Sequence, residues 1–287
     1  MTVVFSVIFP GNLLFFPSFL QSLENQSNKD FKLILFNDGV TDIEKYLQNT
    51  TLLFESYDVY GLTPFEIRLI GLRKVLSIGA DYVVFADTDD LLSSERLDLS
   101  VKYLSKYPFV CNDISLMASD GTMIRKSYWT NRISNCTEFD INYIKNHNII
   151  GLGNSAMQCR ALQPILEKLK GYKSGNDWLF FSAAGKDLNA VFLNICTTSY
   201  RQHDDNLIGK KRLTPNSLLG IINKKIEHYI LLNKINFREY QIEEQIEINQ
   251  SILKQCNENH EFLNQQAEQI NSLGINFFWW EESNYIN

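Results

Sequence analysis

Asp87, Asp89 and Asp90 directly follow the apolar run Val83-Val84-Phe85-Ala86, with Thr88 among them. A strand buried on both faces of a parallel sheet reads as such a run. In open α/β sheets, ligands bind just outside the carboxyl ends of the strands. Carboxylates this close disfavour one another's ionised form unless a cation or donor groups compensate them. Hard oxygen donors suit Mg²⁺ or Mn²⁺, and Mg²⁺ is typically held by one or two carboxylates together with substrate phosphates. The segment therefore points to a metal-bound phosphate compound, by class a nucleotide derivative. The plainer alternative is a solvated turn whose aspartates cap the next helix.

Three other polar groups are expected at the same sheet edge. Pro10-Gly11-Asn12 follows the predicted first strand, Val3–Phe9, and Asn37-Asp38-Gly39-Val40-Thr41-Asp42 follows the second, Phe31–Phe36. Arg68 lies on a helix that Thr63-Pro64-Phe65-Glu66 opens as a capping box with proline at its first position. Parallel strands would gather these loops into one site with groups for a base, a ribose, a diphosphate and its metal.

Stepping along the chain, helical spacing covers Phe16 to Leu23, a short helix is read from Asp42 to Gln48, and Leu52–Tyr57 reads as a third strand. The capped helix runs to Gly79, Asp81–Ala86 is the fourth strand, and Ser94–Tyr107 the next helix. Strand and helix alternate, which predicts an α/β fold with a mostly parallel sheet flanked by helices. Beyond Tyr107 the pattern is less regular. Short strands are read at Phe109–Asp113, Ser115–Ala118 and Thr122–Arg125 around an Asp120-Gly121 turn, helices at Ala161–Lys170 and Asp177–Ala184, and a β-rich stretch at Ala190–Tyr200.

The 287 residues suffice for one large α/β domain with an appendage. A hydrophobic content of 45% supports a sizeable core, and a net charge of −6 argues against nucleic-acid binding through a broad basic face. The five cysteines are scattered without a Cys-x-x-Cys pair, as expected of reduced thiols in a cytoplasmic protein. Met1–Leu23 is apolar, yet it carries no basic residue and is interrupted by Pro10-Gly11-Asn12, so it reads as strand, loop and helix rather than as a leader. No aspartate follows Asp205, and Ile, Asn, Gln and Glu dominate there. The division expected is a domain over 1–209 and a helical extension over 210–287. Its amphipathic helices are read as packing on the domain's own flank, with a homo-oligomer or a peripheral membrane contact as the alternative.

With these residues in place, the chain resembles the family 2 glycosyltransferases of GT-A fold, over roughly residues 3–209. Phe9-Pro10-Gly11-Asn12 stands where that family has its opening Pro-Thr-Tyr-Asn turn, and Ser22–Gln26 with Asp30–Ile34 is similar to its first helix end and second strand. Asn37-Asp38-Gly39-Val40-Thr41-Asp42 resembles its base-contacting Asp-Asp-Gly-Ser-Thr-Asp loop. Arg68, Gly71 and Leu72 align with its Ala-Arg-Asn-x-Gly-Leu region, and Asp87-Thr88-Asp89 with its Asp-x-Asp motif. Asn176-Asp177-Trp178 is similar to its Glu-Asp-Trp element, and Tyr200-Arg201-Gln202-His203 to a Tyr-Arg-x-His segment of bacterial members. The chain departs from the pattern at Gly11, Asn37 and Asn176.

The resemblance implies a bacterial, inverting, metal-dependent enzyme that moves a sugar from a nucleotide-sugar, with UDP-sugars favoured, to a glycan or lipid-linked acceptor in the cytoplasm or at the inner face of the membrane, in surface polysaccharide or glycoconjugate synthesis. It implies Asp177 as catalytic base. Pro10, Gly11, Asn12, Asp38, Arg68, Asp87, Thr88 and Arg201 would bind the nucleotide-sugar. Asp89, Asp87 and His203 would hold Mn²⁺ or Mg²⁺. Each residue has a plainer reading beside this one. Asp38 would form an Asx turn, Arg68 a surface pair with Glu66, Asp177 a helix N-terminal charge with Trp178 in the core, and His203 a surface histidine. Trp279-Trp280 is read as a core anchor for the tail in preference to an acceptor-sugar platform. Two other functions stay open: a non-catalytic sugar-nucleotide or glycan-binding module, and a haloacid-dehalogenase-type phosphatase, which Asp87-Thr88-Asp89-Asp90-Leu91 also resembles. The phosphatase reading is weakened by Leu91 and by the three strands that precede the motif.

Overall fold

The structure, a computed structural model, describes residues 1–202, 212–235 and 242–286. The first half runs β1 (Thr2–Ile8), α1 (Phe16–Glu24), β2 (Phe31–Asp38), α2 (Glu44–Leu47), β3 (Phe54–Val59), α3 (Pro64–Ser77), β4 (Tyr82–Phe85), β5 (Leu91–Leu92) and α4 (Arg96–Leu104). The second runs β6 (Phe109–Ala118), β7 (Met123–Arg125), β8 (Thr137–Asp140), α5 (Ile141–Ile144), β9 (Ser155–Gln158), α6 (Leu162–Lys168), α7 (Asp177–Ser182), β10 (Asn189–Gln202), α8 (Pro215–Lys234), α9 (Ile242–Glu258) and α10 (His260–Ser272).

One sheet has the strand order β3-β2-β1-β4-β9-β6-β10-β5, with β7 paired to β6 and β8 to β10. β1 to β4 are parallel neighbours, and β6 and β10 form a second parallel pair. This is the expected α/β architecture, a mostly parallel sheet flanked by helices. β1 shows why its sequence does not alternate. All seven residues are buried, Val3, Phe5 and Val7 in the core on one face and Val4 and Ile8 in the core on the other. A strand covered on both faces has no polar side to write into its sequence.

The capping box of α3 is present in both directions between Thr63 and Glu66. Gly71 lets α3 lie close on the sheet, because a Cβ there would come within 2.3 Å of the Phe5 ring. Arg68, one turn earlier on α3, is thereby held at the carboxyl edge.

The second half departs from expectation in three places. β6 is one ten-residue strand where two short ones were predicted. The predicted break fell between Asp113 and Ser115, yet the strand runs through it with Asp113 fully buried. Its carboxylate accepts bonds from the Ile114, Trp129 and Thr130 N–H groups and from the Thr130 hydroxyl. β9 was not predicted at all, and it lies antiparallel between β4 and β6, in the middle of the sheet. The short strand β8 was also unforeseen, as was β5 in the first half.

After position 210, α8 packs on the domain through His228, which stacks on Trp178 at 3.9 Å with the rings nearly parallel, and through Tyr229. Leu218, Ile222, Leu263 and Ile270 form a small core among α8 to α10. Tyr229, Leu232, Ile242, Phe278 and Trp280 belong to the main core. Among the described residues, no helix is long and apolar enough to cross a membrane.

Candidate active site

A cavity of about 410 Å³ opens at the carboxyl edge of the parallel strands, lined by Phe9, Asn12, Arg68, Asp87, Asp89, Asp90, Asp177 and others. Arg68 bridges two of the carboxylates that line it. Its guanidinium reaches Asp177 Oδ1 at 3.2 Å and Asp87 Oδ1 at 3.6 Å. Burial works against its charge, but Asp177, Asp87 and Asp89 together hold its pKa above the ordinary arginine value. Asp177 opens α7, where Asn176 caps the helix by accepting the Leu179 N–H. That cap gives the asparagine a local reason to stand where the related motif has glutamate. The second Asp177 oxygen accepts the Leu152 N–H at 3.0 Å.

The carboxylates crowd one another. Burial and the neighbouring Asp89 charge push Asp87 up to about 7 despite Arg68 beside it. Asp90 is 1% exposed, and burial with Asp89 and Asp87 nearby raises it well above the usual carboxylate range. One Asp90 oxygen accepts the Arg201 N–H, and the other, Oδ2, is buried with no hydrogen-bond partner among the described residues. Among the described residues, no three His, Cys, Asp or Glu side chains stand as a ready-made metal cluster. The donor set nevertheless fits Mg²⁺ or Mn²⁺, since such ions take one or two carboxylates and complete their shell with phosphate oxygens and water. Excess buried negative charge and an orphaned Asp90 oxygen are what such a cation would relieve.

The other predicted site residues divide by place. Asn12 lines the cavity and donates to Thr88 Oγ1 at 3.1 Å. Thr88 is fully buried and donates to the Val7 carbonyl, so it ties the carboxylate loop to β1 from behind. Pro10 and Gly11 form an exposed turn beside the cavity, and Asp38 ends β2 on the same edge, outside the cavity wall. Asn37 holds that loop by donating to the Val40 carbonyl and to Asp58 Oδ1. Asparagine in place of the family's aspartate therefore supplies a donor toward a carboxylate. Arg201 is 4% exposed and donates to the Asp89 and Ser119 carbonyls, with its guanidinium 4.4 Å from the Phe15 ring. It braces the carboxylate loop and is not on the cavity wall. His203 lies outside the described residues.

Sequence reasoning did not place Asn148, Gly151 or Gly153 in the cavity, and it quoted Asp90 and Tyr200 within motifs without giving either a site role of its own. Asp90 carried a signal, being the third carboxylate of the loop. Tyr200 comes from β10, while Asn148, Gly151 and Gly153 come from the irregular stretch before β9, where no local pattern marks them.

No family model matches the chain. An uncharacterized glycosyltransferase of Rickettsia bellii is 26% identical over 104 residues, 35% of this chain and 15% of that protein's length. The crystal structure of S. aureus TarS 1-349 aligns over 99% of this chain and 80% of its own, with a TM-score of 0.58 and 15% identity. Its complex with UDP-GlcNAc aligns over 82% and 71%, with a TM-score of 0.55 and 15% identity. Its complex with UDP aligns over 83% and 71%, with a TM-score of 0.51 and 15% identity. The chain thus has the GT-A-like fold, a central mostly parallel sheet flanked by helices, that these structures share.

Proposed function

We propose that the chain is a glycosyltransferase that moves a sugar from a nucleoside-diphosphate sugar to an acceptor hydroxyl, with inversion at the anomeric carbon. The observation that carries this reading is the cavity itself. A carboxylate fit to be a base, Asp177, and a carboxylate cluster fit to face a cationic diphosphate complex, Asp87 with Asp89 and Asp90, stand on either side of Arg68. The glycosyltransferase name of the Rickettsia relative and the UDP-GlcNAc and UDP bound in the TarS structures favour a UDP-sugar donor.

Asp89 and Asp87 would hold a divalent cation, which when bound offsets the charge that grows on the leaving diphosphate. Arg68 supplies fixed positive charge between that group and the base, and Asn12 adds a polar contact at the donor end. Asp177, oriented by the Leu152 N–H, takes the proton of the attacking hydroxyl. A single base opposite a single leaving group makes one in-line displacement, hence inversion. The pathway that fits such a reaction is synthesis of a bacterial surface polysaccharide or glycoconjugate, on a glycan or lipid-linked acceptor.

Calorimetric titration of UDP with Mn²⁺ tests the donor end. Wild type is expected to bind only with the metal present. Asp89→Asn, which removes a hard anionic ligand at nearly constant volume, is expected to lose at least roughly tenfold in affinity. Wild-type affinity in the variant would remove Asp89 from the site.

A further inference from the structure

Three consecutive residues set an order along the cavity. A Cβ on Gly153 would stand 2.7 Å from Asp87 Oδ2 and 3.2 Å from Asp90 Oδ2, so Gly153 marks the carboxylate end. The Leu152 N–H binds Asp177, so the base comes next. A Cβ on Gly151 would stand 3.2 Å from the Trp279 indole, so Trp279 lies beyond the base. In an in-line displacement the leaving group and the attacking hydroxyl lie on opposite sides of the anomeric carbon. With the diphosphate at the carboxylate end, the acceptor lies on the side where Trp279 and Trp280 line the cavity.

A second observation concerns polar atoms at that end. Trp280 Nε1 and Asn148 Oδ1 are buried and have no hydrogen-bond partner among the described residues. Their residues are 9% and 5% exposed, and both line the cavity. An indole N–H can only donate and a carboxamide oxygen can only accept. Leaving such groups buried and unpaired is unfavourable. A sugar hydroxyl is both donor and acceptor, so it can give its proton to Asn148 Oδ1 and take the Trp280 N–H. Trp280 also has a φ of 62°, a conformation that a bulky residue rarely adopts and that recurs at ligand sites. The three residues form one unit, because the Trp279 N–H donates to the Asn148 carbonyl at 3.1 Å.

We infer that Trp279, Trp280 and Asn148 form the subsite for an acceptor sugar ring, whose apolar C–H face packs on indole while its hydroxyls satisfy the two unpaired atoms. This rests on the glycosyltransferase reading above. The test is saturation-transfer NMR on the full chain with UDP and Mn²⁺, using the methyl glycosides of glucose, galactose and N-acetylglucosamine as probes. Wild type is expected to bind at least one of them. Trp280→Phe, which keeps an aromatic ring and deletes the N–H, and Asn148→Ala, which keeps the backbone carbonyl, are each expected to weaken that binding roughly tenfold, the scale of one lost aromatic or hydrogen-bond contact. UDP affinity, measured by calorimetry on the same preparations, is expected to hold within about twofold, since it reads the carboxylate end. Unchanged glycoside binding in both variants, or no glycoside bound by wild type, overturns the subsite. Loss of UDP affinity in Trp280→Phe overturns it as well, by placing the indole at the donor. A wild type that binds no nucleoside diphosphate overturns instead the glycosyltransferase reading beneath it.

Discussion

The two walls of the cavity are built by different means. The carboxylate wall comes from loops at the ends of β1 and β4 and from α3, each a few residues from an element buried in the sheet. The opposite wall comes from the tail after α10, brought back by contacts across more than half the chain. Trp129 meets Trp279 with ring centroids 4.7 Å apart, and its indole N–H donates to the Phe277 carbonyl. Arg132 makes a two-pronged pair with Glu281, at 2.5 and 2.9 Å, and lies 3.9 Å over the Phe278 ring. The first wall is held by the hydrogen-bonded ladders of the sheet. The second is only as firm as its clamp. On the proposed function, chemistry common to many substrates would fall to the first, and selection of the acceptor to the second.

If that division holds, Asp177→Asn, between the two walls, damages only the chemistry. The amide keeps the shape but cannot take the acceptor proton, so kcat is expected to fall by roughly a hundredfold to ten-thousandfold. The dissociation constant for UDP with Mn²⁺ should stay near that of wild type. Lost donor binding would show that Asp177 serves the nucleotide instead.

Arg132→Ala tests the clamp from the other side. Glu281 is 4% exposed, and removing its partner leaves a buried charge uncompensated, which typically costs about 3 kcal/mol or more. Urea unfolding should show that loss, with UDP affinity little changed. An equal fall in UDP affinity would mean that the two walls are one cooperative unit.

His228 sharpens the comparison through pH. Burial, with Lys225 beside it, pushes its pKa down to about 3 from 6.5. Between those values the unfolded chain holds a proton that the folded chain does not, so stability is lost as pH falls below about 6.5. At pH 5 the loss is about 2 kcal/mol relative to neutral pH. His228→Phe, which retains an aromatic ring against Trp178, should flatten the acid limb of the urea midpoint between pH 7 and pH 5. An unchanged limb would assign the acid sensitivity to other groups.

The smallest effect is expected at Asn37→Asp. The substitution replaces a donor to Asp58 by a second carboxylate, and should destabilise the β2 loop by about 1 kcal/mol with no effect on the tail. Thermal unfolding measures it, and a stabilised variant would contradict the donor role.

The amino acid sequence by itself determined the parallel half and the carboxylate wall. Apart from β5, the elements from β1 to α4 were legible because their signals are local. Apolar runs mark strands covered on both faces, Thr63-Pro64-Phe65-Glu66 marks a helix start, and Asp87-Thr88-Asp89-Asp90 follows its apolar run without a gap. Only the tertiary structure decided the rest. Asp113 sits inside a strand because the N–H groups of a loop sixteen residues later satisfy it. β9 is four residues of Ser-Ala-Met-Gln, too short for a period to show, and it is a strand because β4 and β6 pair with it on both sides. Arg201, placed by motif among donor-binding groups, is turned behind the loop by two backbone carbonyls. Trp279 and Trp280 could be read as tail anchors, and they are, but no local pattern places them beyond Asp177. The reason is physical: helix and strand signals come from neighbours in the chain, whereas a cavity wall assembled from distant segments is decided by which buried groups find partners after the chain has folded.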